Sequence, residues 1–238
     1  MAIHYRTDGF FLKKKDRGEA DQLFTIYTKD FGKLEIFGKA IRKIKSKLRA
    51  GAEIFYLSQI EFIQGKTHKT LTDAILIEKF PETRKNLEKL RISYKIAEVA
   101  DELIKGEEKD EKIWQLITGT FKKLNSVPQL QQSLLLYYYF FWSLLALLGY
   151  QSELYNCSLC QRKIKPQTLY FSSEEGGIIC QDCFKKEKKA IGIDLDTVKI
   201  LRLIFKKDLS ILNKLKIKPR HLKSLQNVSE DYFQSVLR

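Results

Sequence analysis

Asp21-Gln-Leu-Phe-Thr-Ile-Tyr-Thr28 is an eight-residue run rich in β-branched and aromatic residues, the composition and length of a strand. A second run, Ile54–Ile63, puts Ile54, Tyr56, Ile60 and Phe62 on one face by the period of two. Gly9–Leu12, Leu34–Phe37 and Leu71–Ile77 bring the candidate strands to five within the first eighty residues. Asp16-Arg-Gly18, Asp30-Phe-Gly32 and Gly65 punctuate them as turns. Five short strands in this length predict a small closed barrel, of which the OB-fold is the five-stranded form. An SH3-like barrel fits the same periodicity.

The connections between these strands are basic. The first predicted turn holds Lys13, Lys14, Lys15 and Arg17, and the turn before the last strand holds Lys66, His68 and Lys69. Between strands three and four, Lys39-Ala-Ile-Arg42-Lys43-Ile-Lys45-Ser-Lys47-Leu-Arg49 carries six basic residues and no acid. OB-folds bind oligonucleotides through the strand 2–3 face and two of their loops. Lys13, Lys14, Lys15, Arg17, Lys39, Arg42, Lys43, Lys45, Lys47, Arg49, Lys66 and Lys69 are therefore the candidate contacts to a sugar–phosphate backbone. Phe24, Tyr27 and Phe37 are candidate stacking platforms, with burial in the barrel the better-supported role. A solvated turn is the competing reading of the basic cluster.

The whole chain of 238 residues carries a net charge of +14, distributed unevenly. Residues 1–80 have 16 Lys and Arg against 10 Asp and Glu, net +6, and residues 184–238 have 14 against 6, net +8. Residues 81–156 and 157–183 are each neutral. Positive ends flanking a neutral middle point to a polyanionic partner, most often nucleic acid.

From about residue 84 the period turns helical. Ile92, Ile96, Val99 and Leu103 form one stripe, and Ile113, Leu116, Ile117, Phe121 and Leu124 another, broken by Asn125-Ser-Val-Pro128. Gln129–Leu148 is apolar nearly all round and reads as a buried spine. Its apolar run Leu134–Leu148 is fifteen residues long, shorter than a membrane span requires. A further helix is expected from Asp194, with Val198, Leu201, Phe205 and Leu212 on one side, and a last short one from about Ser229. The fold class is α+β: an N-terminal barrel, residues 1–80, then a helical domain, residues 81–238.

All four cysteines fall between those helices, as Cys157-Ser-Leu-Cys160, nineteen residues, then Cys180-Gln-Asp-Cys183. Two thiolates two residues apart can face one ion from a single turn, and two such turns fill a tetrahedral Zn²⁺ site. Arg162, Lys163 and Lys165 lie nearby and favour thiolate. Paired disulfides suit a secreted chain, but no signal-peptide pattern is evident here. A redox Cys-x-x-Cys comes once, near a βαβ pattern, rather than twice. With all four positions taken by sulfur, the expected role is structural, in a module spanning 157–183.

Catalytic motifs are not found. Gly65-Lys66-Thr67 would need glycine at position 60 to be a phosphate loop, and Ile60 stands there. No Gly-x-Ser-x-Gly or His-Glu-x-x-His occurs, and His4, His68 and His221 are scattered, reading as surface or satisfied residues. Asp101-Glu102, Glu107-Glu108 and Asp110-Glu111 read as exposed positions.

The order of several segments resembles the RecO family of bacterial recombination mediators. Thr7-Asp-Gly9-Phe-Phe-Leu12 is similar to its opening strand, and Arg17-Gly18-Glu19-Ala20-Asp21 with Leu23, Thr25 and Thr28 to its second. Phe31-Gly32-Lys33 and Arg42-Lys43-Ile-Lys45-Ser46 follow in family order. So do Leu144-Leu145-Ala-Leu-Leu148-Gly149-Tyr150, Cys157-x-x-Cys160, Phe171, Gly176-Gly177 and Cys180-x-x-Cys183, with Leu222-Lys223-Ser224-Leu225 a weaker echo. Gln151 and Ser152 replace a frequent proline, and Gln161 a frequent glycine. The resemblance implies an OB-fold, a helical domain with structural zinc, and no enzymatic activity. It implies binding of single- and double-stranded DNA, annealing of complementary strands, and action with RecR. It further implies loading of RecA on strands coated by SSB, whose acidic C-terminal tail would dock on the helical domain. The location implied is cytoplasmic and nucleoid-associated. Two other classes stay open: a zinc-containing OB-fold protein binding RNA or the ribosome, and a nucleic-acid-processing enzyme whose carboxylates converge only in the fold.

Overall fold

The computed structural model describes residues 3–186, 189–206 and 217–238. The chain divides into two compact units, one up to Ser133 and one from Leu134 onward.

In the first unit, β1 (His4–Arg17), β2 (Asp21–Thr28), β3 (Gly32–Gly38), β4 (Leu57–Gln64) and β5 (Lys69–Glu78) close into a barrel in the order β1-β2-β3-β5-β4. Neighbours are antiparallel except β3 and β5, which close the barrel through a short parallel pairing, Ile36 with Lys69 and Phe37 with Thr70. This is the five-stranded OB-fold. Its interior is filled by Phe11, Phe24, Ile26, Leu34, Ile36, Ile60, Phe62 and Leu71. Phe10, Phe11 and Leu12 are all buried in succession, so β1 lacks alternation there. Phe11 faces the barrel, where its ring meets Phe24 edge-on at 5.2 Å. Phe10 meets Phe121 at 4.4 Å, and the register shifts between Phe11 and Lys13, at Leu12. A strand covered on both sides reads as a continuous apolar run.

Two strand boundaries depart from the periodicity. Lys13, Lys14, Lys15 and Arg17, expected in a turn, belong to β1, which runs on to Arg17 because Lys13–Arg17 pairs residue by residue with Asp21–Thr25. The β4 strand begins at Leu57 rather than Ile54. Phe55 takes a left-handed backbone (φ 61°), so strand pairing does not reach back to Ile54, although Tyr56 still packs against the barrel core that holds Ile60 and Phe62. The Phe55 ring is buried against Phe121 and Tyr94, and that burial offsets a backbone cost on the order of 1 kcal/mol.

The loop leading to β4 contains a 3₁₀ turn, Lys47–Ala50, followed by Gly51. A Cβ at Gly51 would stand 2.0 Å from the carbonyl oxygen of Ala74 in β5. Gly51→Ala is therefore expected to destabilise the first unit by about 2 kcal/mol, as backbone is forced aside. A chemical-denaturation midpoint identical to the parent would count against this close approach.

Helix α1 (Pro81–Arg84) is followed by α2 (Leu87–Leu103) and α3 (Glu111–Ser126) in the same unit. Asn86 caps α2, its Oδ1 accepting from the N–H groups of Glu88 and Lys89, and Asp110 caps α3 in the same way. The predicted stripes are buried, Leu116 only partly.

Helix α4 (Leu130–Leu147), near the predicted Gln129–Leu148, contains the boundary, and from Leu134 on it belongs to the second unit. A three-stranded antiparallel sheet follows, ordered β7-β6-β8, from β6 (Leu169–Ser172), β7 (Gly177–Cys180) and β8 (Ile191–Ile193). Sequence reading foresaw none of these strands, which are three or four residues long. Then come α5 (Gln181–Phe184), α6 (Leu195–Phe205), which begins where expected and is capped by Asp194, and α7 (Pro219–Val236). The last helix was expected to be short and to start near Ser229; it starts ten residues earlier, with proline in its first turn. Leu212 lies outside the described residues. Trp142 on α4 is fully buried, stacks on Tyr232 of α7 at 5.4 Å and donates from Nε1 to Ser229 Oγ at 3.0 Å. No described helix is long and apolar enough to cross a membrane.

Candidate metal centre and nucleic-acid interface

Cys157 and Cys160 share one tight turn. Its ends are closed by Gln161 N–H donating to the Cys157 carbonyl and Cys157 N–H donating to the Arg162 carbonyl, both at 2.8 Å. Gln161, in place of a glycine, adopts φ 59°, a left-handed conformation that disfavours a Cβ. Cys180 ends β7 and precedes α5, on which Cys183 sits. The four sulfurs lie within 4.8 Å of one another, with Cys160 and Cys180 Sγ 3.9 Å apart. A tetrahedron with metal–sulfur bonds of ~2.3 Å has an edge of about 3.8 Å, whereas a disulfide needs about 2.05 Å. The four residues thus fit one metal ion and fill every position of a tetrahedral shell. An all-sulfur donor set is soft.

The surroundings stabilise thiolate at one ligand. Backbone and side-chain N–H groups of Arg162 hold the Cys160 thiol down to about 6, the side-chain contact being Nε to Sγ at 3.4 Å. Burial pushes the Cys183 thiol up to about 12, so an ion is what would draw its proton off. Cys180 N–H donates to Cys157 Sγ at 3.4 Å. Of the three nearby cations, Arg162 is the one that contacts sulfur among the described residues, and Lys163 and Lys165 do not. Ile179, Ala190 and the parallel rings of Tyr170 and Phe184, 3.5 Å apart, pack around the sulfurs.

On the barrel, the two basic segments are tied together by backbone. Arg42 N–H donates to the Ala20 carbonyl at 2.9 Å, and Ala40 N–H to Asp21 Oδ1 at 2.7 Å. The loop after β3 is thereby fastened beside the β1–β2 turn. Four of the twelve candidate cations face carboxylates: Lys13 to Asp101 at 3.0 Å, Lys14 to Glu53 at 2.6 Å, Arg42 to Asp16 at 3.4 Å and Lys69 to Glu107 at 2.6 Å. Lys15, Arg17, Lys39, Lys43, Lys45, Lys47, Arg49 and Lys66 are exposed and make no ion pair among the described residues. Burial alone would raise the Asp101 carboxyl, but its hydrogen bonds to and the charges of Lys13 and Lys33 outweigh that and hold it below the usual range. Lys13 is correspondingly raised by the Asp101 hydrogen bond and charge.

The aromatic candidates separate. Phe24 and Tyr27 are wholly buried and cannot stack on a base. The Tyr27 hydroxyl donates to the Asp110 carbonyl at 3.3 Å, and burial pushes it up to about 12. Phe37 is half-buried, 5.1 Å from the His68 ring. Register sets Lys15, Leu23 and Phe37 side by side across β1, β2 and β3. That end of the strand 2–3 face is a partly open apolar strip bordered by cations.

Two family models together match nearly the whole chain, Recombination protein O N terminal over residues 1–80 and Recombination protein O C terminal over residues 84–238. The chain belongs to the RecO family. Relatives described as DNA repair protein RecO include one from Dehalococcoides mccartyi, 33% identical over 93% of this chain and 86% of the relative. One from a Roseiflexus species is 28% identical over 98% and 81% respectively, and one from Moorella thermoacetica is 28% identical over 98% and 86%.

In this RecO-family chain two groupings escaped sequence reading. Arg84, at the end of α1, and Tyr56, before β4, line a polar cleft with Lys14, Arg42 and Arg49. Positions this far apart carry no spacing signal. The second is His221, buried at the start of α7, with Nδ1 2.6 Å from Asp194 Oδ1 and Nε2 3.5 Å from Asp196 Oδ2. Asp194 also accepts from the N–H groups of Asp196 and Thr197, and Arg220 Nε reaches His221 Nε2 at 3.3 Å. These atoms are engaged with one another and join the N-termini of α6 and α7.

Proposed function

We propose that this chain is a DNA repair and homologous recombination mediator: a cationic scaffold that binds single- and double-stranded DNA and anneals complementary strands. The observation that carries the reading is the fastening of the Arg42–Arg49 loop beside the β1–β2 turn, which gathers cations without carboxylate partners on a closed OB barrel. Bringing two polyanions together requires neutralising phosphate repulsion, and a basic surface does so by displacing counterions, independently of sequence. The reading needs no nucleotide site. Residues 1–80 act as the DNA-binding domain, and residues 81–238 as the helical domain for protein partners. Those partners are RecR and the acidic SSB tail, through which RecA is loaded on SSB-coated strands, in the cytoplasm at the nucleoid.

The ion held by Cys157, Cys160, Cys180 and Cys183 is zinc, in a structural role. The distances and donor set support this assignment. When bound it supplies folding stability to the module. The decisive assay follows annealing of complementary strands coated with SSB, without ATP, at stated salt, beside matched RNA strands. Accelerated DNA annealing supports the reading. Annealing no faster than the spontaneous rate contradicts it, and preference for RNA would favour an RNA-binding role instead.

A further inference from the structure

The barrel carries a polar cleft of about 380 Å³ lined by Lys14, Arg42, Arg49 and Arg84, with Glu53 and Tyr56. Four cations face one carboxylate there. They arrive from β1, from the loop after β3 and from α1, so the cleft is a product of the fold rather than of one basic run. We infer that it is a phosphate seat, in which Arg84 is the most preorganised donor. The inference rests on the nucleic-acid reading above, and it adds to the strand path a residue that lies beyond the barrel.

Partnering distinguishes the four side chains. Lys14 Nζ reaches both oxygens of Glu53, at 2.6 and 2.8 Å, and Arg42 leans on Asp16 at 3.4 Å. Arg49 makes no ion pair among the described residues. Arg84 is positioned without any carboxylate: its guanidinium carbon lies 4.8 Å from the centre of the Tyr56 ring, and Nη1 donates to the Ile54 carbonyl at 2.8 Å. Of five guanidinium donors, most remain for a ligand. A guanidinium stacked on an aromatic ring keeps its fork in place, is weakly hydrated, and matches phosphate oxygens in pairs. The volume falls within the ~300–1,000 Å³ typical of small-ligand sites, room for a phosphate and its sugar. Lys14 and Arg42, already compensated, shape the walls, while Arg49 and Arg84 bring unneutralised charge.

The test is a double-substitution cycle on the full chain, Arg49→Ala, Arg84→Ala and both, titrated with a labelled oligothymidylate across a salt series. Each single change is expected to weaken binding roughly fivefold to tenfold and to lower the log–log salt slope by about 0.7, one phosphate's worth on a single strand. The double variant should lose less than the product, because both donors address one phosphate. Arg84→Lys, which keeps the charge but not the fork, should fall between parent and Arg84→Ala. Exposed Arg49 guards against misfolding as the cause, and melting curves on every variant accompany the titrations. A parent that binds no strand overturns the nucleic-acid reading itself. A parent that binds, with variants of unchanged slope, with effects that multiply, or with losses that follow melting temperature alone, overturns the seat.

Discussion

Serine at both Cys157 and Cys160 is expected to lower the melting temperature by on the order of 10 °C, while strand affinity stays within about twofold of the parent. The cluster around the sulfurs is small: Cys157, Ile179, Cys180, Cys183 and Ala190 are its buried members, with Ile164, Tyr170 and Phe184 against them. So little apolar surface cannot order a module of this kind unaided, and structural metals commonly supply what is missing. Zinc in isolated finger peptides contributes about 10–16 kcal/mol, and only part is lost globally because the remaining core persists. Losing two of four ligands leaves a site that cannot close. The lost metal would be seen as zinc absent from the purified variant by elemental analysis, where iron in the parent would reassign the ion. An equally stable variant without metal would show that the cysteines do not hold the module together.

Reversing Arg42, Lys43 and Lys45 to glutamate is expected to weaken single-strand binding by a factor on the order of 10² and to reduce the salt slope by about two. All three are exposed, on the loop that Arg42 N–H and Ala40 N–H tie to the neighbouring turn. The tie is made by backbone at Arg42, so it survives the substitutions. The ion pair given up, Arg42 with Asp16, is between exposed groups and worth about 1 kcal/mol at most. Folding should therefore be nearly unchanged, and the loss would report contacts with phosphate. Unaltered affinity together with unaltered salt dependence would mean the loop is merely solvated.

What the chain discloses before it is folded depends on how local each signal is. Asp21–Thr28 declared a strand by its β-branched and aromatic composition, and Ile60 with Phe62 by the period of two, because both signals are properties of neighbours in sequence. The stripe of Val198, Leu201 and Phe205 declared a helix beginning near Asp194, whose carboxylate in the fold accepts from the N–H groups of Asp196 and Thr197. The four cysteines declared a shared site through spacing alone. Phe55 misled because its left-handed backbone is paid for by Phe121, far along the chain. Lys13–Arg17 misled because charge on an exposed strand end resembles a turn. Arg84 with Arg49, and His221 with Asp194, meet only through tertiary folding, and no window of sequence contains either pairing.

The proposed function depends on the barrel holding a strand by its charged backbone. The most direct measurement is the equilibrium affinity of the parent protein for a labelled single strand of mixed sequence, taken across a range of salt without nucleotide. Tight binding at low salt, falling linearly on a log–log plot with a slope of several phosphates' worth, is the predicted result. Affinity that is negligible at low salt, or indifferent to it, would contradict the account.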